Sequence, residues 1–168
     1  MRKTSRTLAD RALVGPPAPT LARVESVGDL VTAGQVPGLL FDACPWLSET
    51  WDEVAGENAD TDFPGGRLGY LDAAWVVGQL ADRLVAGDTG GFDAMFDLIE
   101  RLVIEGDGYV SELAVIGYLE GMQMETVSSR GADPEAFRPW LRPLSATYWQ
   151  AIHDFWERGI PIPTLHPE

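Results

Sequence analysis

Hydrophobic residues between Phe92 and Gln123 recur at the three- and four-residue spacing of an α-helix. In the first half of this stretch they fall on one stripe, which consists of Phe92, Met95, Phe96, Ile99, Leu102 and Val103. The second half, from Tyr109 to Met122, is apolar on almost every face. The pattern therefore predicts two helices with a hinge at residues 105–108, the second of which lies inside a helical stack.

Two further helices are predicted, one before this pair and one after it. The first runs from residue 68 to Gly87 and the second from Pro143 to Gly159, since glycine commonly follows the end of a helix. The predicted buried stripe of the first is Leu71, Ala74, Trp75, Gly78, Ala81, Leu84 and Val85. In the last helix it is Leu144, Tyr148 or Trp149, Ile152, Phe155 and Trp156.

The beginning of the chain has a more broken pattern. Residues 1–20 end in Gly-Pro-Pro-Ala-Pro and are predicted to form a disordered leader. Short helices are expected over residues 21–34 and 45–56, followed by a loop over residues 57–66. Residues 39–44 are too few to assign to a strand or a helical turn.

No segment shows the alternation of a half-buried strand, so the predicted fold class is all-α. Residues 134–141 add one short helix, which Pro139 interrupts. We expect residues 21–168 to form a single domain. Its architecture is predicted to be an irregular helical bundle, or a short stack resembling helical repeats, of about five to seven helices.

The charge of the chain is strongly negative, at −14 for 168 residues. The first eleven residues carry +3, which leaves −17 for the remainder, and no Lys or Arg occurs between Arg23 and Arg67. Such a chain repels nucleic acid and anionic membranes and attracts basic proteins. The absence of a long apolar run and the single cysteine, Cys44, favour a cytoplasmic protein that spans no membrane.

Carboxylates and two tryptophans in the stretch without basic residues suggest a surface for a basic partner protein. Tryptophan supplies contact area, and carboxylates steer a cationic surface toward it. The acidic face of the helix after Phe92 is a possible extension, although the i,i+4 spacing of Asp97 and Arg101 also favours an ion pair there. The predicted partner-binding residues are Asp42, Trp46, Glu49, Trp51, Asp52, Glu53, Glu57, Asp60, Asp62, Asp93 and Asp97.

Catalytic and metal-binding signals are weak. His153 and Glu157 share a helix face, but a surface ion pair explains them better than a metal site does. The acidic residues 58–62 lack the glycine of a calcium loop, and Cys44 stands in an apolar context typical of an inert thiol. We therefore predict a protein that is not an enzyme and that has no catalytic residue, metal or cofactor. A carboxylate-rich, metal-dependent enzyme remains the less favoured alternative.

Glu120 and Gln123 are the conspicuous polar residues of the apolar helix. A buried carboxylate must be paired, hydrogen-bonded or protonated, so a catalytic role is one interpretation. No second acid or base accompanies it in the sequence. We therefore predict that both residues are buried and join neighbouring helices.

Two segments carry a family resemblance. One is the helix end Tyr118–Gln123, which has the pattern hydrophobic-Leu-Glu-x-hydrophobic-Gln, and the other is Leu141–Ser145 followed by Trp149 and Phe155-Trp156. They resemble a family of small helical bacterial proteins of uncharacterised function, over residues 68–156, and the first 36 residues lie outside the resemblance. Members are similar to acidic immunity proteins of polymorphic toxin systems. The resemblance therefore implies a protein that binds and occludes a cognate toxin, such as a basic nuclease; a helical scaffold or adaptor is the alternative.

Overall fold

The computed structural model describes residues 29–165, and these residues form helices joined by short turns. The predicted leader and residues 21–28 of the first predicted helix lie outside the described range. No strand occurs within that range, so the predicted all-α class is confirmed. The α-helices are α1 (Val36–Ala43), α2 (Asp52–Ala55), α3 (Gly69–Val85), α4 (Phe92–Glu105), α5 (Gly108–Glu112), α6 (Gly121–Gln123), α7 (Glu125–Ser129) and α8 (Pro143–Arg158).

A π-helical segment, Leu113–Glu120, joins α5 to α6, so that residues 108–123 form one continuous rod that we call the central helix. It packs against α3, α4 and α8, and most of its side chains are buried. Gly117 permits close approach to α3, because a Cβ atom there would stand 3.0 Å from the Ala73 Cβ atom. The prediction that this helix lies inside a helical stack is confirmed.

Helix α4 and the hinge after it also follow the sequence pattern. All six residues of the predicted α4 stripe are buried. The Asp107 side chain accepts a hydrogen bond from the Val110 amide at 2.8 Å, which caps the start of α5. Val31 is tied to this hinge by two backbone hydrogen bonds: its amide donates to the Glu105 carbonyl at 2.8 Å and its carbonyl accepts from the Asp107 amide at 2.9 Å. Residues 29–32 are therefore not helical, and this part of the predicted helix over 21–34 is wrong.

The predicted buried face of α3 is wrong in part. Leu71 and Val85 are more than half exposed and Ala74 is exposed, whereas Gly78 and Ala81 are buried as predicted and Trp75 and Leu84 pack against the core. The other residues that enter the core are Ala73, Val76, Val77 and Leu80. Asp72 is buried beside them, and Arg67 and Asn58 bind its carboxylate. The centre of the buried face thus lies about one residue from the predicted one, although the apolar spacing fits both.

Helix α8 is buried in its middle and exposed at its end. Tyr148, Trp149 and Ile152 belong to the core as predicted, but Phe155 is 40% exposed and Trp156 is 62% exposed. The two exposed rings pack edge to face, with 5.5 Å between their centroids. A prediction from helical periodicity assumes that the core covers a helix along its full length. The buried part of α8 instead ends near Ile152.

The shorter elements depart from the pattern where prolines occur. Residues 39–44, which the sequence left unassigned, fall within and just after α1, and the predicted helix over 45–56 divides into the 3₁₀ turn Pro45–Glu49 and α2. Residues 134–140 form a 3₁₀ helix that contains Pro139, a residue without a backbone amide. Helix α7 was not predicted.

Candidate protein-binding surface

The acidic segment, which we define as residues 42–62, presents its carboxylates to solvent. Six of them are exposed and Asp60 is partly buried. Within residues 29–165, none of the seven has an ion-pair partner. Their negative charge is therefore not neutralised by direct pairing with a cation in the described part of the chain. The seven are Asp42, Glu49, Asp52, Glu53, Glu57, Asp60 and Asp62.

Asp93 and Asp97 on α4 differ from that group, because Arg142 binds both of them. The Arg142 Nη2 atom lies 3.1 Å from Asp93 Oδ1, and its Nε atom lies 2.6 Å from Asp97 Oδ1. These hydrogen bonds raise the pKa of Arg142 further above its usual value. Arg101 pairs with Glu105 at 2.7 Å, so the predicted ion pair between Asp97 and Arg101 is wrong. The two aspartates hold the start of α8 against α4.

A shallow groove of about 370 Å³ lies between α1 and α4 and brings Asp42 and Asp97 to one surface. Leu39 and Leu98 contribute apolar lining, and Arg101 borders it. The structure thus places one residue of the acidic segment beside one of the predicted α4 residues. Of these two carboxylates, only Asp97 is already bound by a cation.

Trp46 and Trp51 are partly buried, because each packs against other side chains of the fold. The Trp51 ring meets Phe41 and Trp75 edge to face at centroid distances of 5.1 and 5.6 Å. Arg67 lies over the Trp51 ring at 4.7 Å, and Arg83 lies over the Trp46 ring at 4.2 Å. Both tryptophans therefore fix the acidic segment to the helices beneath it.

A buried polar cluster anchors the end of the acidic segment to α3. The Asp72 carboxylate accepts hydrogen bonds from Arg67 Nε at 2.7 Å, from Arg67 Nη2 at 2.8 Å and from Asn58 Nδ2 at 2.9 Å. Arg67 also donates to the Ala55 carbonyl at 2.9 Å. No sequence pattern above predicted this cluster. The available signal was that Arg67 is the first basic residue after Arg23 and precedes Asp72, an acid within the apolar first half of α3.

A small cavity beside this cluster is bordered by Arg67, Asp72, Tyr109 and Tyr118. Its volume of about 20 Å³ is close to that of a single water site. Pockets that take small organic ligands usually enclose several hundred Å³. In this conformation the cavity is too small for a metabolite or a cofactor.

Glu120 and Gln123 lie on the central helix where α8 crosses it. Gln123 Nε2 donates to the carbonyls of Leu119 and Trp149, both at 3.4 Å, and so links the two helices. Glu120 accepts a hydrogen bond from the Trp156 indole at 3.1 Å. Both polar side chains are only partly buried, which corrects the expectation of full burial, since this stripe of the central helix reaches the surface.

The other candidates for chemistry have ordinary structural surroundings. Cys44 is fully buried, and burial raises the pKa of its thiol to about 11. His153 Nε2 lies 3.4 Å from Glu157 on an exposed helix face. Among residues 29–165, no cluster of three or more His, Cys, Asp and Glu side chains is placed to hold a metal. Nor does any helix in that range have the length and hydropathy of a bilayer span.

Residues 37–157 match a protein family described as Domain of unknown function (DUF7674). The chain belongs to this family. The matched range begins in α1 and ends in α8, so it includes the whole acidic segment and the central helix. No curated protein and no solved structure matches the chain. The expected similarity to immunity proteins therefore stays a prediction.

Proposed function

We propose that this protein is an immunity-type inhibitor, which binds a basic bacterial toxin through the acidic segment and covers the active-site cleft of that toxin. The observation that carries this proposal is the set of seven solvent-facing carboxylates within residues 42–62, none of which has a cationic partner in the described part of the chain. Carboxylates left unpaired in the free protein are available to a partner. Asp93 and Asp97 on α4, by contrast, are held by Arg142.

The proposed mechanism is occlusion by complementary charge. A nuclease or another enzyme that acts on polyanions carries a cationic cleft, and a surface rich in carboxylates competes for it. The attraction acts over about one Debye length, roughly 8 Å at physiological salt, so it accelerates encounter as well as stabilising the complex. No catalytic group of this protein takes part.

The contacts that hold the acidic segment on the fold support a binding role. Trp46 and Trp51 fix its helical turns, and the Arg67–Asp72 pair fixes its end, so the carboxylates sit on an ordered framework. A preorganised surface loses less conformational entropy on association than a flexible one does. An ordered framework beneath the carboxylates therefore favours tight binding over a loose electrostatic encounter.

Growth protection tests this proposal. A protein encoded by a neighbouring gene that arrests growth when it is expressed alone is co-expressed with this protein, and we expect co-expression to restore growth. The double variant Asp52→Lys/Glu53→Lys reverses two charges in the first turn of α2 and is expected to lose protection.

The matched control is Glu125→Lys/Glu135→Lys. It changes the net charge equally and also acts in first helical turns, but outside residues 42–62 and with the loss of the surface pair between Glu135 and Arg138. Equal protection by both double variants would exclude the acidic segment as the binding surface.

A further inference from the structure

One stripe of the central helix reaches the surface between α3 and α8. It consists of Glu112, Ile116 and Glu120, whereas most other side chains of the central helix are buried. Tyr70 of α3 borders this stripe on one side and Trp156 of α8 on the other. We call these five residues the Glu112–Trp156 face.

Both carboxylates of this face are bound by uncharged donors. The Tyr70 hydroxyl donates to Glu112 Oε1 at 2.9 Å, and the Trp156 indole donates to Glu120 Oε1 at 3.1 Å. Burial raises the pKa of Tyr70, and the hydrogen bond to Glu112 and the negative charges of Glu112 and Glu120 raise it further. Hydrogen bonds from neutral groups orient these carboxylates but leave their charge in place.

Several other carboxylates of this protein have arginine partners. Asp82 pairs with Arg130 at 2.7 Å, and Asp154 pairs with Arg158 at 2.6 Å. Neither Glu112 nor Glu120 has an ion-pair partner within residues 29–165. The charge of the Glu112–Trp156 face is thus not neutralised by a cation of the described residues.

Trp156 is the most exposed of the large hydrophobic side chains in the described part of the chain, at 62%. Its ring is held in place by the hydrogen bond to Glu120 and by the edge-to-face contact with Phe155. An exposed aromatic ring with a fixed orientation beside carboxylates suits a guanidinium or ammonium group. The cation stacks on the ring while its N–H groups reach the acids.

We propose that the Glu112–Trp156 face is a second docking surface, which takes an arginine-bearing amphipathic segment of the partner protein. An arginine side chain enters between Glu112 and Glu120 and stacks on Trp156, while apolar residues of the segment cover Ile116 and Phe155. This inference rests on the proposed function only in requiring that the partner is a basic protein. The acidic segment and this face are separate surfaces, and each is tested on its own.

The test is an NMR titration of the ¹⁵N-labelled full-length protein, which has six tryptophan indole N–H resonances. The Trp156 resonance is assigned from the variant Trp156→Phe, and those of Trp46 and Trp51 are assigned in the same way. The probe is a synthetic amphipathic helix with arginine on one face and leucine on the other. A peptide with citrulline in place of every arginine is the uncharged control.

We expect the Trp156 resonance to shift saturably with the arginine peptide and not with the citrulline peptide. Glu120→Gln keeps an acceptor for the indole but removes the charge, so it should weaken the peptide affinity at this site by about tenfold. Asp154→Asn, a change on α8 two residues before Trp156 and at an aspartate already bound by Arg158, should leave the affinity unchanged.

Three outcomes would overturn the inference. A shift confined to Trp46 and Trp51 would place binding on the acidic segment alone, which leaves the proposed function intact. A change in the Trp156 resonance with protein concentration, before any peptide is added, would show that a second copy of this chain covers the face. Equal shifts with both peptides would show that charge plays no part there.

Discussion

At the scale of single residues, Asp72 shows how one buried charge orients a helix. The apolar spacing of α3 fits two neighbouring faces almost equally well, and the face predicted to be buried was the one with Leu71 and Val85. The carboxylate of Asp72 selects the other face, because Arg67 and Asn58 bind it from a preceding turn. Such contacts join α3 to residues outside the helix, and helical periodicity carries no information about them. The hydrophobic pattern alone therefore could not predict which face of α3 is buried.

Replacing Asp72 by asparagine should strongly destabilise the fold. The side chain keeps its shape but loses its charge, which leaves the Arg67 guanidinium, only 18% exposed, without its partner. Removing one member of a buried ion pair typically costs roughly 3–5 kcal/mol in the free energy of unfolding. Urea denaturation followed by circular dichroism measures this change.

The control is Asp154→Asn, which removes a pair whose arginine, Arg158, is 59% exposed, and it should lower the urea midpoint far less. Equal effects of the two substitutions would show that the Arg67–Asp72 pair does not hold α3 in place.

At the scale of helices, local patterns predicted α4, the central helix and the middle of α8 well. In these elements one face is covered along most of its length, so the helical period reports burial directly. The end of α8 and the contact between α4 and α8 required information from distant residues. Glu100 of α4, for example, accepts hydrogen bonds from the amides of Leu144 and Ser145, at 2.8 and 2.7 Å, and so caps the start of α8. No local signal pairs these positions.

Gly117→Ala tests the close contact between the central helix and α3. An added Cβ atom would stand 2.8 Å from Leu113 Cδ1 and 3.0 Å from the Ala73 Cβ atom, so the two helices must separate. Overpacking of this kind costs about 1–3 kcal/mol, which thermal or urea unfolding would detect.

Gly121→Ala in the same helix is the matched control, since its added Cβ atom would meet Val77 at an ordinary 3.4 Å. We expect it to be neutral or slightly stabilising, because alanine has the higher helix propensity. A stable Gly117→Ala protein would show that the interface between the helices adapts at little cost.

At the scale of the whole molecule, the distribution of charge matters more than any single pair. The chain carries −14 overall, and the acidic segment holds seven carboxylates without ion-pair partners in the described range. The sequence predicted these seven residues to be partner-binding residues. It could not separate them from Asp93 and Asp97, because their partner Arg142 is more than forty positions away in the chain.

Sodium chloride should stabilise this protein. Repulsion among the excess carboxylates opposes the compact state, and salt screens that repulsion. We expect the urea midpoint to rise as the salt concentration increases from about 20 to about 300 mM, a range over which the Debye length falls several-fold.

The variant Asp52→Lys/Glu53→Lys should show a smaller rise, since it reduces the excess negative charge. A fall in the midpoint with salt would mean that attractive surface pairs outweigh the repulsion.

The most direct test of the central claim is the affinity of this protein for the partner toxin that the growth-protection test identifies, measured by calorimetry at several salt concentrations. The proposed function predicts tight binding that weakens with salt. It also predicts at least a tenfold loss of affinity for Asp52→Lys/Glu53→Lys, with little change for Glu125→Lys/Glu135→Lys. Equal affinities for the wild-type protein and both variants, independent of salt, would contradict binding through the acidic segment.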